Sequence, residues 1–450
     1  LVLGVDLGSS GLRIALLPAA PARPSPVLER HSPYPGDFED PDAWRRGLIF
    51  LVLGLPESCR RRIGAIAVDG TSGTLLLCHP DGSLLSGDLA RALPYHQACP
   101  EQAHQAARIA GSGPAAGANG SLARALHLVA RAEAARLSSP WLLRHQADWL
   151  MGWLLDDWRW GEEGNNLRLG WDLQRTAWCG SVAEQPWAGA LPRIRASGEC
   201  LGTIGGVAAG VLDLPVDCVV VSGSTDANAG VLAAAPGLED GVAVLGTTLV
   251  LKQFVPEPIS APGVSCHRVA GRWLAGGAAK AGAGILLRFW GPDQLRELSR
   301  QIDPERPSGL RLRPLPGRGE RFPWDDPQME PLLGPRPVSD ALYLQALLEG
   351  LTEHERAGWE RLRQLGAPAI RRVITLGGGA SNRQWRRLRQ QTLGLPVLNR
   401  PALSAARGMA LLARQALARQ EMARQATVRE RQADAVTAES RMGAAAPPSP

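Results

Sequence analysis

The strongest constraint on this chain is the strand that comes directly after its first glycines. An apolar run over residues 1–5 meets the turn Asp6-Leu7-Gly8-Ser9-Ser10-Gly11, and a second apolar run continues over 12–17. Walker loops and dinucleotide fingerprints send their glycines into a helix. Here they lead into a strand, and Gly4, Gly8 and Gly11 miss the G-x-G-x-x-G spacing. The chain therefore starts as a hairpin with a Gly/Ser tip. The unit recurs where residues 241–245 and 249–254 flank Gly246-Thr247-Thr248. Two hairpins with hydroxyl-rich tips imply a faint internal duplication, and with it two similar α/β lobes facing one cleft.

The intervening pattern fits such lobes. A strand over 63–68 runs into Asp69-Gly70-Thr71-Ser72-Gly73-Thr74, and 75–78 continues as a strand. Helical periodicity covers 121–137 and 141–155, while 161–172, rich in Gly and Asn, reads as a loop. A buried-type strand over 216–221 leads into Ser222-Gly223-Ser224-Thr225-Asp226 and a helix of small residues. Residues 304–337 are rich in Pro, Arg and Gly and read as extended surface; 342–365 reads as helix. A strand over 373–376 precedes Gly377-Gly378-Gly379-Ala380-Ser381-Asn382, then helices over 383–393 and 407–425. The division expected is a first lobe over 1–235, a second over 236–425 and a disordered tail over 426–450.

Composition supports two cores. A chain of 450 residues, 45% hydrophobic and 20% charged, needs no disulfide or metal staples. Its seven cysteines are odd in number and never in a C-x-x-C spacing, which sets aside a disulfide framework and a zinc site and suits a reducing cytoplasm. Apolar stretches are broken before about 18 residues, so no membrane-spanning helix is expected. The net charge is +6, and every basic residue except Lys252 and Lys280 is arginine. Residues 356–424 hold 14 arginines against two acids, Glu360 and Glu421. Much of this excess is expected on a solvated helix face, Arg386, Arg387 and Arg389 among it, with a field favouring a polyanion. No zinc-finger or RNA-binding aromatic pattern accompanies it, so no nucleic-acid partner is expected.

The candidate chemistry lies in the turns. Backbone N–H groups at Gly8, Ser9, Ser10 and Gly11, and at Gly246, Thr247 and Thr248, can form anion nests. Two such tips from opposing lobes can clamp a polyphosphate; either alone is also an ordinary hairpin. A carboxylate at Asp6 beside phosphates needs a cation between them, which suits Mg²⁺. Asp226 has two readings: a base within reach of an alcohol, or the N-cap of the helix after it. Gly377, Gly378 and Gly379 let a flat base or ribose pack on backbone at a helix N-terminus, with Asn382 able to donate and accept. The polar run 69–74 is either a hairpin turn or a contact for a polyol.

Residues 5–13, Gly223-Ser224-Thr225-Asp226-Ala227, Gly246-Thr247-Thr248 and 376–382 resemble, in order, motifs of the FGGY carbohydrate kinases. These are the first phosphate, catalytic, second phosphate and adenosine motifs, and the resemblance spans residues 1–415. Segments 69–74, 145–150, Asn165-Asn166, Gly170-Trp171-Asp172 and 319–323 resemble the compact xylulokinase-like proteins of cyanobacteria and chloroplasts. Those are similar to D-ribulose kinases, and the Met-His pair of longer xylulokinases is absent from 69–74.

The resemblance implies an α/β fold of two actin-like (ribonuclease H-like) lobes around a central cleft. It places ATP mainly on the C-terminal lobe and the sugar on the N-terminal one. Asp226 would be the base, Asp6 would act near Mg²⁺ and the transferred phosphate, and Ser72 with Asp69 would form the sugar loop. ATP would be held by Gly8, Ser9, Ser10, Gly11, Gly246, Thr247, Thr248, Gly377, Gly378, Gly379 and Asn382. The implied reaction is ATP-dependent phosphorylation of a ketopentose, D-ribulose first. Xylulose or another polyol is the nearest alternative, and a catalytically weak sugar or nucleotide sensor a different one. Two departures lie in the nucleotide lobe. Ala279-Lys280 stands where relatives often carry Ser-Asn, and Ser404-Ala405-Ala406-Arg407-Gly408 lacks an acidic residue often found there.

Overall fold

The computed structural model describes residues 1–20, 28–111, 113–138 and 140–443. Two six-stranded sheets organise them. The first has the order Cys200–Thr203, Val219–Thr225, Ala65–Gly70, Val2–Gly8, Gly11–Leu17, Leu28–Ser32. The second has the order Val264–Val269, Arg272–Ala278, Leu249–Val255, Asp240–Leu245, Arg372–Leu376, Val397–Asn399. Both contain one five-strand pattern. A hairpin is flanked on one side by a third antiparallel strand and on the other by two strands parallel to its first. This shared topology is the duplication that the hairpin tips announce.

The central strands are mostly apolar because both faces are covered. Val2, Leu3, Val5 and Leu7 have no exposed surface. Helices Pro41–Leu53 and Gln146–Leu155 cover one face of the first sheet, with Trp44 edge-on to Trp149 at 6.1 Å between ring centroids. Asp226–Ala234 and the C-terminal helix Ala405–Gly443 cover the other. In the second lobe, Asp340–Gln364 and Arg383–Leu393 share a core with the sheet.

The C-terminal helix crosses between lobes. It comes after the last strand of the second sheet, yet Met409, Ala410, Leu412 and Ala413 are buried in one cluster with Val2, Ala15, Leu17 and Ala65 of the first. The approach is backbone to backbone. A Cβ on Gly4 would lie 1.9 Å from the Ala406 carbonyl oxygen, and one on Gly408 would lie 1.9 Å from that of Ala229. Sequence pattern alone assigns this helix to the second lobe; its packing partner is the first sheet, since chain order does not report packing.

Other expected boundaries move as well. The expected disordered tail is helical as far as Gly443, and residues 444–450 lie outside the described residues. Its Ala, Arg and Gln content favours helix even without an apolar stripe. The expected loop 161–172 contains the strand Trp160–Glu162 and the helical turn Glu163–Asn166. The Glu162 carboxylate caps that turn by accepting the Gly164 and Asn165 N–H groups at 2.8 Å each. Residues 141–155 divide into the strand Leu142–His145 and the helix Gln146–Leu155. That strand pairs with Leu75–Cys78, so 69–74 is not a hairpin turn; it connects two different sheets.

Arg389 is not on a solvated face. It is 1% exposed, its Nε and Nη2 donate to Glu355 at 2.5 and 2.8 Å, and its Nη1 donates to Thr375 Oγ1 at 2.7 Å. Among the described residues no helix is long and apolar enough to cross a membrane. The seven cysteines are unpaired.

Candidate active site

Three acidic side chains stand at the carboxyl ends of adjacent parallel strands, where open α/β sheets bind ligands. Asp6 lies near the end of Val2–Gly8, Asp69 is its register partner on Ala65–Gly70, and Asp226 comes directly after Val219–Thr225. Asp6 is buried, and its Oδ2 accepts from Arg13 Nη1 at 3.1 Å. Asp69 has no exposed surface, and no backbone N–H or basic side chain reaches either of its oxygens. Burial first, then the charges of Asp6 and Asp226, push its carboxyl well above the usual range. Asp69, expected in the sugar loop, has no exposed surface, and its strand continues through Asp69 and Gly70.

Asp226 is partly exposed and opens the helix Asp226–Ala234. Thr225 occupies the N-cap position without a side-chain hydrogen bond, and Asp226 is the first residue of the helix. Asp226 Oδ1 accepts the Ala227 N–H at 2.7 Å. Burial outweighs that hydrogen bond and, with the charge of Asp6, lifts the Asp226 carboxyl to about 6. A carboxylate so placed is ionised at neutral pH yet basic enough to take a proton.

The loop after Asp69 is held from beneath. Gln146 Oε1 accepts from Thr71 N and Thr71 Oγ1 at 3.0 and 2.8 Å, and the Thr71 and Thr74 hydroxyls are 2.6 Å apart. Gly73, at φ +102°, would set a Cβ 3.0 Å from Arg124 Nη1. With Thr71, Gly73 and Thr74 buried, Ser72 is the residue this loop presents. Nearby, Gln146, Asn165, Ser224 and Asn228 hold buried side-chain atoms without protein partners. Sequence pattern gives these four no role, although Gln146 in a helix of Trp and Leu is a visible signal.

At the first tip Ser9 and Ser10 are exposed, and Tyr34 Oη donates to the Gly8 carbonyl at 2.7 Å. At the second, Gly246 N donates to Thr248 O at 3.1 Å, and Ala283 and Gly284 donate to the Gly246 and Thr247 carbonyls. A Cβ on Gly282 would meet Thr247 O at 2.4 Å, so this close approach requires glycine. Lys280 turns aside: its Nζ donates to Arg318 O at 3.2 Å. Glu320 accepts the Lys280 and Ala281 N–H groups at 2.6 and 3.0 Å. Burial alone would raise the Glu320 carboxyl, but His354 and those N–H groups hold it at about 2. Ser404 caps the C-terminal helix, its Oγ accepting from Arg407 N at 3.3 Å.

A cavity of about 1270 Å³ opens beside the second tip, lined by Gly246, Thr247, Gly378, Gly379 and Asn382 among others. A Cβ on Gly378 would project into open space, whereas Gly377, at φ +82°, backs onto Leu245. Asn382 Oδ1 caps Arg383–Leu393 at the Gln384 and Trp385 N–H groups, 3.0 Å each, and its Nδ2 donates to Ser299 Oγ at 3.0 Å. It shapes the cavity wall with its hydrogen-bonding groups already engaged.

Elsewhere, Cys99, Glu101 and His127 bring ligand-type atoms within 4.8 Å of one another, a grouping the spacing does not suggest. Burial raises the Cys99 thiol, and His127 Nδ1 lies 2.7 Å from Glu101 Oε1. This is a hydrogen-bonded pair beside a protonated thiol.

Solved structures share this architecture. A xyloylose kinase from Brucella ovis superposes with TM-score 0.76 at 22% identity, covering 92% of this chain and 89% of that one. A ligand bound xylulose kinase from Lactobacillus acidophilus gives 0.74 at 16% identity, covering 93% and 89%. A glycerol kinase with ADP from Plasmodium falciparum gives 0.74 at 14% identity, covering 92% and 89%. These likenesses show the fold, two actin-like lobes around a cleft. Residues 241–417 match the C-terminal domain of the FGGY family of carbohydrate kinases. The chain thus carries a C-terminal domain of the FGGY family of carbohydrate kinases on this two-lobed fold.

Proposed function

We propose that the chain transfers the γ-phosphoryl group of ATP to a hydroxyl of a ketopentose, D-ribulose before xylulose. The observation that carries the reaction is the partly exposed carboxylate of Asp226, lifted to about 6, at a strand end beside Asp6. In the proposed step Asp226 takes the hydroxyl proton, the sugar oxygen bonds to the γ-phosphorus, and the bond to the β-phosphate oxygen breaks, releasing ADP. Little covalent chemistry falls to the protein, so positioning and charge neutralisation supply most of the acceleration. Ser72 and Asp226 orient the sugar, the tips 8–11 and 246–248 hold phosphates, and Gly378 and Gly379 floor the nucleoside cavity.

The donor set also fits Mg²⁺. Asp6 brings oxygen ligands only, and the Asp69 oxygens beside it lack protein partners, a hard environment of the kind this ion takes. Asp6 would hold it, and when bound it neutralises charge on the phosphates.

The short loop at 69–74, with Ser72 as its presented residue, supports a small ketose. Xylulose stays as a second reading because kinases bearing that name share the fold. The test is ADP release over a panel of ketopentoses and polyols. D-ribulose is expected to give the highest kcat/KM; no sugar-stimulated turnover with ATP binding intact would refute the reading.

A further inference from the structure

Behind Asp226 runs a chain of contacts that reaches the other lobe. The strand Val219–Thr225 is irregular between Val221 and Ser224, where its pairing with Ala65–Gly70 shifts. A Cβ on Gly223 would lie 1.7 Å from the Val68 carbonyl oxygen, so the bulge presses directly on the neighbouring strand. Bulges beside active sites re-aim the residues after them, and here those residues lead to Asp226.

Two side chains hold the bulge. Ser197 Oγ donates to Gly223 O at 2.8 Å, and Asn165 Nδ2 reaches Ser224 O at 3.5 Å. Ser197 is itself located by Glu163, whose Oε1 accepts the Ser197 N–H at 3.2 Å. The other Glu163 oxygen, Oε2, accepts from Arg268 Nε and Nη2 at 3.0 and 2.6 Å. Glu163 is 1% exposed and belongs to the first lobe; Arg268 stands on Val264–Val269, the edge strand of the second sheet. A buried carboxylate is retained when it is paired and fully hydrogen-bonded, and here its partner comes from the opposite lobe.

We propose that Glu163 is a positioning residue for Asp226, set by Arg268 across the lobe interface, so that the base is aligned when the two lobes are engaged. The relay rests on the kinase reading only for its catalytic consequence. Neither Glu163 nor Arg268 touches a reacting atom; they act through Ser197 and the bulge.

The test uses the full chain with Arg268→Met, with Ser197→Ala as a second variant that changes no charge. In sugar-dependent ADP release, Arg268→Met is expected to lower kcat about ten- to hundredfold, the scale of a small misplacement of a reacting group. KM for ATP is expected to stay within about twofold, and Arg268→Lys to recover part of kcat by restoring the charge. Hydrogen exchange at the amides of Ser222, Ser224 and Asn228 is expected to quicken in both Arg268→Met and Ser197→Ala. Unchanged kcat and unchanged exchange in both variants would overturn the proposal. So would a lowered melting temperature with kcat per folded molecule intact, which marks a merely structural pair. If the parent chain turns over no sugar, the kinase reading fails, and the exchange measurement still decides whether Arg268 and Ser197 hold the strand end.

Discussion

Asp6 and Asp69 are register partners on adjacent parallel strands, and they sit in opposite surroundings. Asp6 faces Arg13 at 3.1 Å, while Asp69 is sealed from solvent, and burial, then its acidic neighbours, push its carboxyl well above the usual range.

This division makes the two positions respond differently. Asp69→Asn keeps the shape of a side chain with no hydrogen-bond partner among protein atoms, so turnover is expected to fall by no more than about tenfold. Asp6→Asn removes the charged ligand and is expected to abolish measurable transfer, with the Mg²⁺ dependence of ATP binding weakened. Equal losses in steady-state assays of the two variants would contradict the assignment.

Asp226→Asn is expected to lower kcat about 10²–10⁴-fold and also to stabilise the fold. The folded Asp226 carboxyl titrates near 6 against an ordinary 3.8. The folded state therefore binds this proton more tightly than the unfolded one, and stability is lost as pH rises from about 3.8 to 6. Removing the charge is expected to gain on the order of 1 kcal/mol at pH 7, read from denaturant melts. In the parent chain kcat/KM is expected to decline below pH 6.

Gly378 faces open space in the nucleoside cavity, unlike Gly377. Gly378→Leu is expected to raise KM for ATP at least about tenfold with the melting temperature unchanged. A ligand-independent loss of folding would show that the position is structural.

Arg389 and Glu355 form a buried ion pair that ties Arg383–Leu393 to Asp340–Gln364. Arg389→Met leaves Glu355 buried without its cation, and equilibrium unfolding is expected to show a loss of about 3–5 kcal/mol.

Gly408→Val is expected to destabilise the whole chain by about 3 kcal/mol, because its side chain would overlap the Ala229 carbonyl. A chain ending at residue 404 is expected to lose the first lobe, not the second, as read by protection of the Val2–Gly8 amides.

Much of the second lobe was legible in local pattern. The helix over 383–393 and the hairpin around Gly246 need only periodicity and turn chemistry, and the structure places both where the sequence does. The strand ends near Asp69 and the segment 161–172 were not legible. Polar residues there are buried by partners distant in the chain, as Gln146 is to Thr71 and Asp148 to Glu162 N at 2.9 Å.

The sequence alone determined that two hairpin-led lobes exist and that Asp226 follows a strand, because strand alternation and glycine turns are short-range properties, while the strand expected to stop at Asp6 runs on to Gly8. Only the tertiary structure decided that Asp69 is sealed away, that Arg389 is buried, and that the last helix closes the first sheet. Those outcomes depend on which surfaces meet. Burial, pairing and protonation are set by neighbours that chain order does not name.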